Sequence, residues 1–265
     1  HRNRTSPFAF TGNKFEFRMV GSSQNIAFAN IVLNTAVANS FAEFADTLES
    51  AEHFDTALER LIADTFRRHR RILFSGNSYT KEWEEEARAR GLACLKTAPE
   101  AYAHFTDAKN VALFTRFGVM SETEMRSRRE IFFENYRKIV GIEARTMVEM
   151  TERDILPAVS SYVAKLAEGI NQKRAALPGV DLPFETATAE KLSALMAKTV
   201  AAKAALEKAE HTAAEKPTDE ARAMETKNNV LPKMDALRRV VDTMETLTAR
   251  EFWPMPTYGD LTYRV

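Results

Sequence analysis

Two helix-forming stretches separated by one short break constrain this chain most. From Thr188 to about Ala214 the residues are mostly Ala, Lys, Glu and Leu, which have the most favourable helix propensities. Leu192, Leu195, Met196 and Val200 make a narrow apolar stripe along this stretch. Pro217 interrupts it, and a second helix follows with Leu231, Met234, Leu237, Val241, Met244 and Leu247 at its apolar positions. Two long helices joined this way pack most simply as an antiparallel hairpin. Upstream, Ser121-Glu122-Thr123-Glu124 has the form of a capping box. A long helix should follow it, with Phe132, Tyr136, Ile139, Val140, Met147 and Met150 as its stripe. Pro157 either kinks that helix or begins the next. The run Leu177-Pro178-Gly179-Val180-Asp181-Leu182-Pro183 reads as a loop, because Pro fixes φ and Gly permits a left-handed turn. No repeat of fixed period stands out.

The first 120 residues carry shorter signals. Ser22 or Ser23 is placed to cap a helix running to about Leu48. Phe54, Leu58, Leu61, Ile62, Phe66, His69 and Leu73 recur at helical spacing, which predicts one buried face. Ser75-Gly76-Asn77-Ser78 breaks the chain, Thr80 starts a helix that Gly91 stops, and Pro99-Glu100-Ala101 suggests another short helix. Trp253-Pro254-Met255-Pro256 cannot be helical throughout and predicts an extended tail laid on a groove of its own or a neighbouring subunit.

Lys+Arg and Asp+Glu both number 37, so net charge gives no pull toward nucleic acid or an anionic membrane. No apolar run approaches the roughly 18 residues of a membrane span. Cys94 stands alone and makes no internal disulfide, which suits a reducing cytosol and predicts a cytoplasmic location. The chain opens at His1 and enters a strand-like motif almost at once, so it reads as the C-terminal part of a longer protein.

That opening motif carries the chemistry. Lys14-Phe15-Glu16-Phe17-Arg18 alternates charged and aromatic residues. In a strand, successive side chains point to opposite faces, so Phe15 and Phe17 enter a core while Lys14, Glu16 and Arg18 share the other side. Thr11-Gly12-Asn13 supplies turn residues, and Arg4 joins the charged face if the preceding segment folds back. One carboxylate among cations suits an anionic, metal-linked ligand. The same alternation describes any half-exposed strand with a surface ion pair of little energetic weight.

The run Asn3 to Arg18 resembles the substrate-binding strand pair of glutamine synthetases, specifically the long type III form. Gly21-Ser22-Ser23-Gln24-Asn25-Ile26, Phe74-Ser75-Gly76-Asn77-Ser78-Tyr79 with Glu82-Trp83, Ile142-Glu143-Ala144-Arg145-Thr146-Met147 and Trp253-Pro254-Met255-Pro256-Thr257-Tyr258-Gly259-Asp260-Leu261 are also similar to type III segments. The resemblance implies an α+β fold, predominantly helical. A short antiparallel strand pair, part of the catalytic sheet, would precede a helical bundle or extension. Residues 1–120 would belong to the catalytic domain, 121–250 to the helical region and 251–265 to the tail. It implies that Glu16 binds Mg²⁺ or Mn²⁺, that Arg18 grips the glutamate carboxylate, and that Arg4 faces the transferred phosphate or the side-chain carboxylate. Lys14 would sit near the nucleotide phosphates, where shorter family members carry arginine. The implied reaction is ATP-dependent: glutamate is phosphorylated to an acyl phosphate, and ammonia displaces phosphate to give glutamine. The family frame also implies a ring of identical subunits, with residues 1–265 inactive by themselves.

Two other readings stay open. One is a ligase of the same scaffold that joins glutamate to a different amine. The other is a non-catalytic helical interaction or oligomerisation module. The five histidines show no metal-ligand spacing. Arg67-Arg68-His69-Arg70-Arg71 reads as a phosphate or acidic-partner patch or as the solvated end of its helix, where cations are favoured.

Overall fold

The computed structural model describes the backbone at 8–10 and 15–17, and backbone and side chains at 25–77 and 79–263. The chain divides into two compact units, His1–Arg126 and Ser127–Val265. The expectation of an α+β fold is corrected. The described residues are overwhelmingly helical. Among the described residues, paired extended backbone is confined to two three-residue segments, Phe8–Phe10 and Phe15–Phe17, with Ala9 opposite Glu16. Segments this short build no sheet layer on which a helix could pack, so the class is helical.

In the first unit the helices are α1 (Ala27–Glu49), α2 (Phe54–Arg68), α3 (Lys81–Ala89), α4 (Ala98–Ala103) and α5 (Ala108–Arg116). The Asn25 side chain accepts from the Ala27 amide at 2.7 Å where α1 begins. Thr97 and Glu100 form a reciprocal capping box on α4. A small core gathers Phe114, Met120 and Met125 against Phe28, Val32 and Phe105. The predicted buried face of α2 is corrected: Phe54, Ile62 and Leu73 are exposed, as is Phe66 at 61%. Periodicity marks an apolar face but not what covers it, and only Leu58 and Leu61 reach partial burial.

The second unit is a bundle. Helix α6 (Glu122–Met150) starts at the predicted capping box, with the Ser121 amide 2.7 Å from Glu124 Oε2 and the Glu124 amide 3.3 Å from Ser121 Oγ. It continues through a π-helical turn, Thr151–Ile155, into α7 (Leu156–Ala176). After the predicted loop come α8 (Pro183–Ala214) and α9 (Asp219–Glu225). A second π-turn, Thr226–Val230, leads into α10 (Leu231–Glu245). A short α11 (Tyr258–Tyr263) lies in the segment predicted as extended tail.

Both π-turns share one sequence pattern, Thr151-Glu-Arg-Asp-Ile155-Leu156-Pro157 and Thr226-Lys-Asn-Asn-Val230-Leu231-Pro232. Proline has no N–H, and its ring collides with the carbonyl four residues back in a regular helix. Inserting one residue per turn relieves that collision without ending the helix. The leucine amide before each proline accordingly reaches five residues back, Leu156 to Thr151 O and Leu231 to Thr226 O.

The buried residues of α8 are Leu192, Thr199, Leu206 and Ala213, each seven positions after the last. Across from them Ala223, Val230, Leu237 and Met244 repeat the same interval. A strict seven-residue repeat is the signature of knobs-into-holes packing. The rows run antiparallel, as expected from the short break: Thr199 meets Met244 near one end, while Ala213 and Val230 share a cluster toward the other. The predicted stripe is corrected at Val200, which is 51% exposed, and on α6 at Ile139, which is 54% exposed; Phe133 is buried there instead.

Candidate functional site

The sequence-predicted site residues fall at the edge of what the structure describes. Arg4, Lys14 and Arg18 lie outside the described residues, and of Glu16 only the backbone pairing with Ala9 is described.

The described loop between α2 and α3 is built around aromatic packing. The Phe74 and Trp83 rings stack with centroids 4.0 Å apart, and the Arg90 guanidinium lies 5.4 Å from the Trp83 ring. Arg90 Nη1 donates to the carbonyls of Arg71 (3.2 Å) and Leu73 (2.8 Å), and Arg90 also pairs with Glu86. These bonds satisfy carbonyls just past α2, where a helix end leaves acceptors free. After α3 the chain turns tightly at Gly91, which adopts φ +71°. Spacing alone did not mark Arg90 as the tie; the Arg-Gly pair ending a short amphipathic helix was the available signal.

The loop has little to offer an anion. Hydrogen bonds from its own amide and from the Thr80 hydroxyl hold the Glu82 carboxyl below the usual carboxylate range. A carboxylate therefore already sits at the first turn of α3, where an anion would need to bind. The hydrogen bond from Lys96 likewise holds Glu84 low. Arg67, Arg68, Arg70 and Arg71 are exposed, at the end of α2 and in the following 3₁₀ turn. His104 pairs with Asp107 at 2.9 Å and His211 with Glu215 at 3.5 Å. Among the described residues no three His, Cys, Asp or Glu side chains converge on a point that could hold a metal ion. No described helix is long and apolar enough to cross a membrane.

A family model described as the glutamine synthetase C-terminal domain matches residues 57–174. A type-3 glutamine synthetase of Dictyostelium discoideum is 34% identical over 273 residues, covering 99% of this chain. The chain belongs to the glutamine synthetase family. Glutamine synthetases of Bacteroides fragilis and Butyrivibrio fibrisolvens are similar to it at 33% and 35% identity, each again across 99% of the chain. The chain spans 37% of the Dictyostelium and Bacteroides proteins and 38% of the Butyrivibrio one. The family-model match runs from α2 into α7, taking in the aromatic loop and the first π-turn. The charged motif at residues 4–18 precedes it.

Proposed function

We propose that this chain forms the C-terminal part of an ATP-dependent glutamate–ammonia ligase that makes glutamine. The observation carrying this reading is the 34% identity to a type-3 glutamine synthetase across 99% of the chain. Because the chain spans little more than a third of that relative's length, turnover belongs to a larger polypeptide, and residues 1–265 alone are inactive. The reading includes a cytoplasmic ring of identical subunits.

Within it the four charged residues of the opening motif form part of a charge clamp. Arg18 holds the glutamate carboxylate, for which the planar guanidinium fork is suited. Arg4 faces the transferring phosphoryl group or the carboxylate that receives it, and Lys14 lies along the nucleotide phosphates as a point charge. Glu16 is the residue of this chain that would hold Mg²⁺ or Mn²⁺, both of which favour carboxylate oxygen. No described cluster fits such an ion, so Glu16 would share it with carboxylates from elsewhere in the polypeptide. When bound, the metal supplies neutralising charge at the phosphates. The cations of this chain orient glutamate and lower the cost of charge spreading over the phosphoryl oxygens. The substrate carboxylate oxygen takes the phosphoryl group and ADP leaves. Ammonia then attacks the acyl carbon, phosphate departs with its bonding pair, and a proton is lost.

Substituting Glu16→Ala in the intact protein tests this. Glutamine formation should fall by roughly 100-fold or more while the assembly, followed by sedimentation, stays intact. Undiminished turnover would overturn the metal-binding role of Glu16 and favour a helical interaction module as the part this segment plays in the larger polypeptide.

A further inference from the structure

Helix α2 lies against α1 in the first unit, yet a row of its apolar side chains stays uncovered. Phe54, Leu58, Ile62 and Phe66 follow one another at intervals of four residues, the spacing that lines side chains up as a ridge. Phe54 is 56%, Ile62 49% and Phe66 61% exposed, and Leu58 is half-buried. Contiguous exposed apolar surface bordered by charges marks an interaction site.

The bordering charges are sorted by end. Glu49, Glu52 and Asp55 stand at the start of the ridge. At its finish Arg67 is taken by Asp64 at 2.5 Å, which leaves Arg68, Arg70 and Arg71. These three acids and three bases are exposed, and among the described residues they form no ion pair. Helix dipoles account for only part of this sorting, because they act within the first and last turn. Arg70 and Arg71 lie past α2, in the 3₁₀ turn. Glu49 ends α1, where the dipole disfavours an acid.

We propose that α2 docks on α2 of a second copy of this chain, in an antiparallel two-fold pairing. The ridges interdigitate, with Leu58 of one copy level with Ile62 of the other and Phe54 level with Phe66. The same symmetry sets Glu52 of each copy toward Arg68 of the other, and Glu49 toward Arg71. One surface thus supplies both halves of the charge complementarity. A parallel pairing would set like charges together at both ends. A two-fold contact closes on itself and differs from the head-to-tail contact that builds a ring. The pairing does not rest on the ligase reading.

Cross-linking in the intact protein tests it. Ile62→Cys, made together with Cys94→Ser, places a thiol on the ridge. A short bismaleimide should join two copies, with peptide mapping finding position 62 bound to position 62. One charge-reversed form adds Arg68→Glu, Arg70→Glu and Arg71→Glu; another adds Glu49→Arg, Glu52→Arg and Asp55→Arg. Each alone should lose the link by about tenfold or more, because like charges then face each other at both ends. An equal mixture of the two, told apart by isotope labelling, should regain it between unlike copies. Absence of the link in the unreversed protein overturns the proposal, as does a link from position 62 to its own polypeptide instead. An undiminished link in either reversed form, or a mixture that stays unlinked, overturns it as well. Should a reversed form fail to fold, the unreversed protein decides by itself: the link supports the pairing, and its absence overturns it.

Discussion

The Thr199 hydroxyl on α8 lies 3.7 Å from the Met244 sulfur on α10, and both residues are fully buried. The same hydroxyl is 2.9 Å from Leu195 O, one helical turn back. Its single O–H donor is thus used inside α8, and the contact with Met244 is a packing contact that fixes where the two seven-residue rows meet.

Leu206 and Leu237 occupy that seam with no exposure, whereas Val200 lies outside it. Leu237→Ala should cost about 2–5 kcal/mol, the usual range for emptying a core leucine site. Val200→Ala should stay within about 0.5 kcal/mol, as surface substitutions do. Urea unfolding of the two variants checks this, and comparable losses would contradict the seam.

Arg129 of α6 is tied to Glu220 of α9 at 2.7 Å, and its guanidinium covers the Phe133 ring at 4.9 Å. The side chain is 18% exposed, and its Nε is buried without a partner among the described residues. Glu220→Ala leaves this cation with Glu130 as its remaining carboxylate at 3.1 Å. We expect a loss of about 1–2 kcal/mol. Adding Arg129→Met should recover part of that loss, since it removes a poorly solvated charge. Denaturation midpoints of the single and double variants give the comparison.

Glu185, in the first turn of α8, is hydrogen-bonded by Lys173 near the end of α7. That bond, followed by one from its own amide, holds its carboxyl below the usual carboxylate range. A depressed folded pKa contributes stability that is complete above the unfolded value and is lost as pH falls through the folded one. Wild type should therefore exceed Glu185→Gln in stability at pH 7, and the gap should close toward pH 3. A gap that is constant with pH would assign the difference to packing rather than to charge.

The sequence shows some of this architecture better than the rest. Leu192, Leu237 and Met244 are legible from spacing, and so is the capping box at Ser121, because each signal is local. The full seam is not, since Thr199 and Ala213 occupy core positions that hydropathy does not mark. Phe132 and Phe133 are adjacent, and an average period cannot choose between them. The π-turn before Pro157 shifts the register by one residue, which blurs any single period fitted across α6 and α7. The α2 face shows the converse limit: the apolar pattern is present, but burial depends on a covering element that local sequence does not name. Arg4, Lys14, Glu16 and Arg18 carry specific chemistry only through the family resemblance, because alternation of charge and aromatic residues suits any half-exposed strand. Trp253 reads in sequence as part of a proline-broken tail; its burial, with no acceptor for its N–H among the described residues, emerges only from the packing of the C-terminal segment.

The most direct test of the ligase reading supplies the intact protein with ATP, glutamate and ¹⁵N-ammonia beside an excess of competing alkylamines. The account predicts glutamine labelled at its side-chain amide, with one ADP and one phosphate released per amide formed. Preferential formation of an N-alkyl glutamine, or ATP cleavage without any amide, would contradict it.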